Sequence, residues 1–175
     1  MRSRQHGCAD AVALSREEHF PRVNLMVNEM IKVYRSAVIN ASAAKVWKLV
    51  RDFNGLPKWH PAIATSEIEG GLPADRVGCV RRFTRRSDGG LLREQLLSLA
   101  DDTRTLTYSI LVSPMPVANY TARMRFTPIT VGERTFAEWT AEFDVTAGPP
   151  QTTADDIGDN VFVPGFAAID KLLAP

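Results

Sequence analysis

Between residues 62 and 146 the chain divides into six short segments that alternate apolar and polar residues, at 62–69, 77–86, 91–99, 104–112, 118–128 and 134–146. Between them stand the clusters GGLPAD (70–75), SDGG (87–90), ADDT (100–103), SPMP (113–116) and TVGE (130–133). Gly, Pro and Asp punctuate a chain because they supply positive φ, a fixed φ or local side-chain hydrogen bonds. Each cluster therefore reads as a turn, and the whole run as an antiparallel meander.

The flanks complete the pattern. Residues 31–39 alternate as a further strand, with Ile31, Val33 and Arg35 opposed to Lys32 and Tyr34. In NASAAKVWKLVRDF, which follows, Ser42 suits an N-cap, and Val46, Trp47, Leu49, Val50 and Phe53 form a helical stripe. NGLP (54–57) predicts the end of that helix, with Gly55 in the left-handed C-terminal position and Pro57 unable to continue it. KWH adds a second helical turn, stopped by Pro61. Beyond the meander, residues 152–173 read as one long helix, because Val161, Phe162, Phe166, Ile169 and Leu173 recur at helical spacing. Pro164 inside it predicts a kink or the true helix start.

The expected fold class is α+β: a seven-stranded antiparallel sheet gripping a long C-terminal helix, with two short helices after strand 1. One face of such a sheet must be covered, and the terminal helix is the only element large enough to cover it. A curved sheet closed in this way leaves a concave apolar space, the usual form of a ligand site. Residues 1–29 are polar and lack sustained periodicity, so they read as an N-terminal extension, with SREE (15–18) able to cap a short helix and Met30 a plausible start. Residues 30–175 form the expected domain.

RRFTRR (81–86) carries four arginines around one phenylalanine and raises the question of a polymer partner. Two observations oppose it. The chain has a net charge of +1, and its pI of 7.8 falls short of the value above about 9 usual for nucleic-acid-binding domains. Strand alternation also divides the cluster, placing Cys79, Arg81, Phe83 and Arg85 on one face and Val80, Arg82, Thr84 and Arg86 on the other. Arg82 and Arg86 read as solvated, with Arg85 at an exposed hairpin end. The SDGG turn pairs this strand with 91–99, so Arg81 faces Glu94 directly or diagonally, a charge pair aimed into the cavity.

Cys8 and Cys79 fall in no CxxC or Cys/His spacing, and two of the three histidines, His6 and His19, lie in the extension. No metal and no cofactor is expected. No apolar run reaches the ~18 residues of a membrane span, and AVAL near the N-terminus is too short for a signal-peptide core. The cytoplasm is the expected location, and a monomer or weak homodimer the expected state.

The motifs KVWKLVRDF, VGCVRRF, GGLLREQLLSLADDTRTLTYSI, NYTARMRF and NVFVPGFAAIDKL, in this element order, resemble the START-like (SRPBCC) helix-grip superfamily. That superfamily includes the birch pollen allergen group, polyketide cyclases and the plant abscisic acid receptors. The resemblance covers about residues 31–173. Carried over from the receptors, a pocket lysine falls on His60, a strand arginine on Arg81 and an inward glutamate on Glu94. Wall positions fall on Tyr108, Tyr120 and Ala122, helix positions on Phe162, Phe166 and Asp170, and a further inward acid is replaced by Ala141. RRSDGG stands where the receptors have their gate loop and SPMPVANY where they have their latch, so abscisic acid sensing is not expected.

Two functions follow from the resemblance. The first is binding or carriage of a small, largely apolar molecule (a lipid, polyketide or aromatic metabolite) by Trp59, His60, Arg81, Phe83, Glu94, Tyr108, Tyr120, Ala122, Trp139, Phe143, Phe162 and Phe166. The second is a polyketide cyclase/dehydratase-like enzyme, with Arg81 polarising an enolate oxygen, Glu94 as base and His60 as acid. A third, a module whose partner docks at the cavity mouth, rests on the receptor likeness alone. Each residue also has a plainly structural reading. Arg81 and Glu94 can satisfy one another, His60 can bond backbone at a helix end, and the aromatics can be core.

Overall fold

The computed structural model describes residues 30–174. The proposed extension, its capping motif, Cys8, His6 and His19 lie outside the described residues.

Strand β1 (Ile31–Ile39) leads into helix α1 (Ala43–Val50), a 3-10 turn (Phe53–Gly55) and the short helix α2 (Leu56–Trp59). Strands β2 (Ile63–Ile68), β3 (Val80–Arg85), β4 (Leu91–Ala100), β5 (Thr105–Val112), β6 (Val117–Ile129) and β7 (Arg134–Val145) follow. Three segments close the chain: helix α3 (Pro150–Asp155), a π-helical segment (Asp156–Phe162) and helix α4 (Val163–Leu173). The sheet has seven strands in the order β1-β7-β6-β5-β4-β3-β2, with every pairing antiparallel. The α1–α2 connection thus spans from one edge of the sheet to the other. This is the expected α+β helix-grip architecture.

Period-2 alternation sets which residues enter the core. Leu92, Glu94 and Leu96 of β4, Tyr120, Ala122, Met124 and Phe126 of β6, and Ala137, Trp139, Ala141 and Phe143 of β7 are buried, while their sequence neighbours face outward or lie at intermediate depth. Helix α4 lays Gly165, Phe166 and Ile169 against the sheet beside β1, and the Phe162 ring stacks on Trp139 at 4.4 Å between centroids. Helix α1 closes the far end, where Trp47 meets Phe126.

Several local expectations are corrected. Gly55 is not left-handed but has φ −76° within the 3-10 turn, and a Cβ there would meet the Asp52 carboxylate at 2.9 Å. Pro57 does not stop a helix; it sits in the first turn of α2, where its missing N–H costs nothing. Ser42 holds the N-cap position through its backbone only. Strand β3 is shorter than residues 77–86, because Gly78 turns the chain with φ +91° and Arg86 leaves the ladder to bond Ala62 O.

The terminal helix is continuous but not uniform. Pro164 lies in the first turn of α4, and its ring would press on the carbonyl four residues back in a regular helix. The turn before it is widened instead: Val163 N–H reaches Gly158 O, five residues back. One extra residue is accommodated there, a feature frequent near functional sites.

Candidate functional site

A cavity of about 240 Å³ lies between the sheet and the π segment. Its deep wall holds Arg81 and Phe83 of β3, Leu92 and Glu94 of β4, Tyr108 of β5, Tyr120 of β6 and Trp139 of β7. Leu56, His60 and Ile63 close one side, and Ile157 and Val161 of the π segment roof it. At the other end the lining reaches Ser87, Asp156 and Asn160, all exposed, so the cavity opens between the β3–β4 turn and the π segment.

Arg81 and Glu94 occupy directly opposed register positions and are each 5% exposed. Nε and Nη2 of Arg81 both donate to Glu94 Oε2, at 2.8 and 2.5 Å, and Nη1 donates to the carbonyl of Phe53 at 2.7 Å. The guanidinium carbon lies 3.9 Å above the centre of the Phe53 ring, with Tyr108 and Phe83 at 5.3 and 5.4 Å. Aromatic faces complement a desolvated cation. A bulge between Arg93 and Glu94 locally strengthens the twist where Glu94 turns inward. Burial pushes the Glu94 carboxyl above its ordinary range, while the charge of Arg81 and its two hydrogen bonds onto Oε2 favour the ionised form of the pair.

His60 is 3% exposed and uses both ring nitrogens on backbone. Nδ1 accepts from Ala62 N–H at 3.3 Å, which leaves Nε2–H to donate to Val161 O at 3.1 Å. Burial, aided by the charge of Arg81, lowers its pKa to about 4 against the Val161 bond, so the ring is neutral at pH 7. Gly165 lets α4 come this close, since a Cβ there would lie 2.9 Å from the Trp139 ring and 3.3 Å from His60. Trp139 Nε1 donates to the Tyr108 hydroxyl at 3.0 Å. Burial raises the pKa of both Tyr108 and Tyr120, which keeps the two phenols protonated.

The structure thus gathers His60, Arg81, Phe83, Glu94, Tyr108, Tyr120 and Trp139 around one cavity. Trp59, Ala122, Phe143, Phe162 and Phe166 do not line it; they are buried in the surrounding core, Phe143 stacked on Tyr120 and Phe162 on Trp139. Asp170, on a pocket position by resemblance, instead accepts from Asn40 N–H at 2.6 Å at the end of β1. Of the remaining arginines, Arg82 pairs with Glu67 and Arg85 with Asp88, while Arg86 donates to the carbonyls of Pro61 and Ile63. Arg85 also reaches the cavity mouth.

Sequence reasoning overlooked Leu56, Ile63, Leu92, Ile110, Met115 and Ile157 in the lining. Alternation from Glu94 already carried the signal for Leu92. Nothing local signals the roles of Phe53, whose ring and carbonyl both serve Arg81.

Residues 30–168 match the model of the family described as polyketide cyclase/dehydrase and lipid transport. Among solved structures, a Thermobifida fusca protein is 30% identical, with 81% of this chain and 92% of that one covered and a TM-score of 0.72. XoxI from Bacillus cereus is 28% identical, covering 81% and 94%, also with a TM-score of 0.72. An aromatase/cyclase from Streptomyces sp. R1128 shares the fold at 18% identity, covering 82% and 94%, with a TM-score of 0.66. No curated protein matches the sequence. With a model match spanning most of its length over a helix-grip fold, the chain belongs to the polyketide cyclase/dehydrase and lipid transport family.

Proposed function

We propose that the protein binds or carries a small, largely apolar molecule in the cavity between the sheet and the terminal helix. One observation carries this reading: the cavity is walled by aromatic and aliphatic side chains, and of its buried charged or imidazole groups Arg81 bonds Glu94 and the Phe53 carbonyl while His60 bonds backbone. Such a site has the few placed polar groups that orient a ligand within apolar walls. Its 240 Å³ lies below the roughly 300–1,000 Å³ of pockets for drug-sized ligands, which favours a molecule of one or two rings over an entire lipid.

Native mass spectrometry of freshly purified protein, followed by denaturing extraction, tests the reading. A co-purifying apolar molecule is the expected result. An empty protein whose melting temperature responds to no member of a hydrophobic library would overturn it, because a ligand that binds only the native state must stabilise it.

A cyclase/dehydratase reading draws on the family description and on the cavity-facing carboxylate of Glu94 as a base. His60 supplies less to it, since neither ring nitrogen is free. Unchanged turnover of a poly-β-keto substrate by Glu94→Gln would eliminate that mechanism. We further propose a cytoplasmic protein, monomeric or weakly dimeric, for which light scattering across a concentration series is the test of assembly.

A further inference from the structure

We infer that the site selects an uncharged ligand carrying a hydrogen-bond donor, a hydroxyl or N–H, and discriminates against carboxylates, with Oε1 of Glu94 as the selecting acceptor. The inference rests on the binding reading above and gives its chemical class.

The polar end of the cavity is balanced in charge. Arg81 and Glu94 form an ion pair, His60 is neutral, and Tyr108 and Tyr120 are protonated phenols. At the mouth, Arg85 is matched by Asp88. All three guanidinium nitrogens of Arg81 already donate, two of them to Oε2 of Glu94 and the third to Phe53 O. An incoming carboxylate therefore meets no unpaired cation to repay its lost hydration, and it meets the Glu94 charge.

Glu94 offers the opposite to a donor. Both bonds from Arg81 end on Oε2, and among the described residues Oε1 accepts none. Nor is Oε1 sealed away: the only buried polar side-chain atom without a partner among those residues is Trp59 Nε1. Oε1 thus keeps access to the cavity that Glu94 lines. A ligand O–H or N–H reaching it makes a charge-assisted bond in a dry setting, stronger than a neutral one.

Calorimetric titration of the full-length protein at pH 7 with 2-naphthol, 2-methoxynaphthalene and 2-naphthoate separates the possibilities. The three share one ring system and differ in donor and charge. 2-Naphthol should bind at least tenfold more tightly than either of the others, the low end for a hydrogen bond to a charged group. Glu94→Gln should reverse the order by leaving the Arg81 charge unbalanced, so that naphthoate gains and naphthol loses; a merely structural Glu94 would weaken all three alike.

The wild-type comparison stands even if that variant fails to fold. Binding of all three without preference, or tighter naphthoate binding, overturns the inference while leaving apolar ligand binding intact. Binding of none overturns the inference, and the underlying reading falls with it only if the protein also emerges empty from native mass spectrometry and answers to no hydrophobic library member.

Discussion

His60 and Val161 stand 101 residues apart in the chain, yet Nε2 of one donates to the carbonyl of the other at 3.1 Å. The bond ties the end of the α1–α2 connection to the π segment that roofs the cavity. With Ala62 N–H on Nδ1, it also fixes the tautomer, while burial, against the pull of this bond, keeps the imidazole neutral.

The contribution of His60 to stability should therefore rise with pH between about 4 and 6.5. His60 has its folded-state pKa lowered from 6.5 to about 4. In that window the unfolded chain binds a proton that the native one does not, so the gain is complete above 6.5 and lost as pH falls through 4. The whole shift corresponds to about 3 kcal/mol. The raised carboxyl of Glu94 acts oppositely, adding stability below its unfolded value of 4.5 that is lost as pH rises through its folded one. Urea unfolding at pH 4.5 and 7 for wild type and His60→Gln isolates the histidine, since Gln keeps a donor for Val161 and loses the titration. An equal pH slope in both proteins would refute the assignment.

Breaking the Arg81–Glu94 pair should cost far more than removing it. Arg81→Ala or Glu94→Ala alone leaves a buried group unpartnered and should destabilise by about 3–5 kcal/mol. The double replacement Arg81→Met, Glu94→Leu should cost much less than the sum of the singles. Additive losses in a double-mutant cycle would mean the two side chains do not depend on each other.

Gly165→Ala should cost about 1–3 kcal/mol, the range for forcing extra volume into a packed interior. The new methyl would fall 2.9 Å from a ring carbon of Trp139. Denaturant unfolding checks this, and a neutral substitution would show that α4 sits further from the sheet.

Filling the cavity should abolish binding and spare the fold. Ile110 lines it at intermediate burial, so Ile110→Trp has empty volume to enter. The variant should emerge from native mass spectrometry without the molecule carried by wild type, with stability lowered by no more than the usual cost of added volume, about 1–3 kcal/mol. Retention of the ligand would move the binding site elsewhere.

Much of the scaffold, and the polar pair of the site, was legible in residue order alone. Turn clusters marked the breaks between strands, alternation assigned each strand a buried face, and SDGG set β3 against β4 so that Arg81 opposes Glu94. These features depend on sterics between near neighbours and on a side-chain period of two, both local. Tertiary structure decided which buried groups meet in one space. Phe162 and Phe166 share a stripe with Val161, yet only Val161 lines the cavity, because the two phenylalanine rings pack on Trp139 in the core. The same long-range packing brings Phe53 O to Arg81 and Val161 O to His60, contacts between segments whose separation no local pattern encodes.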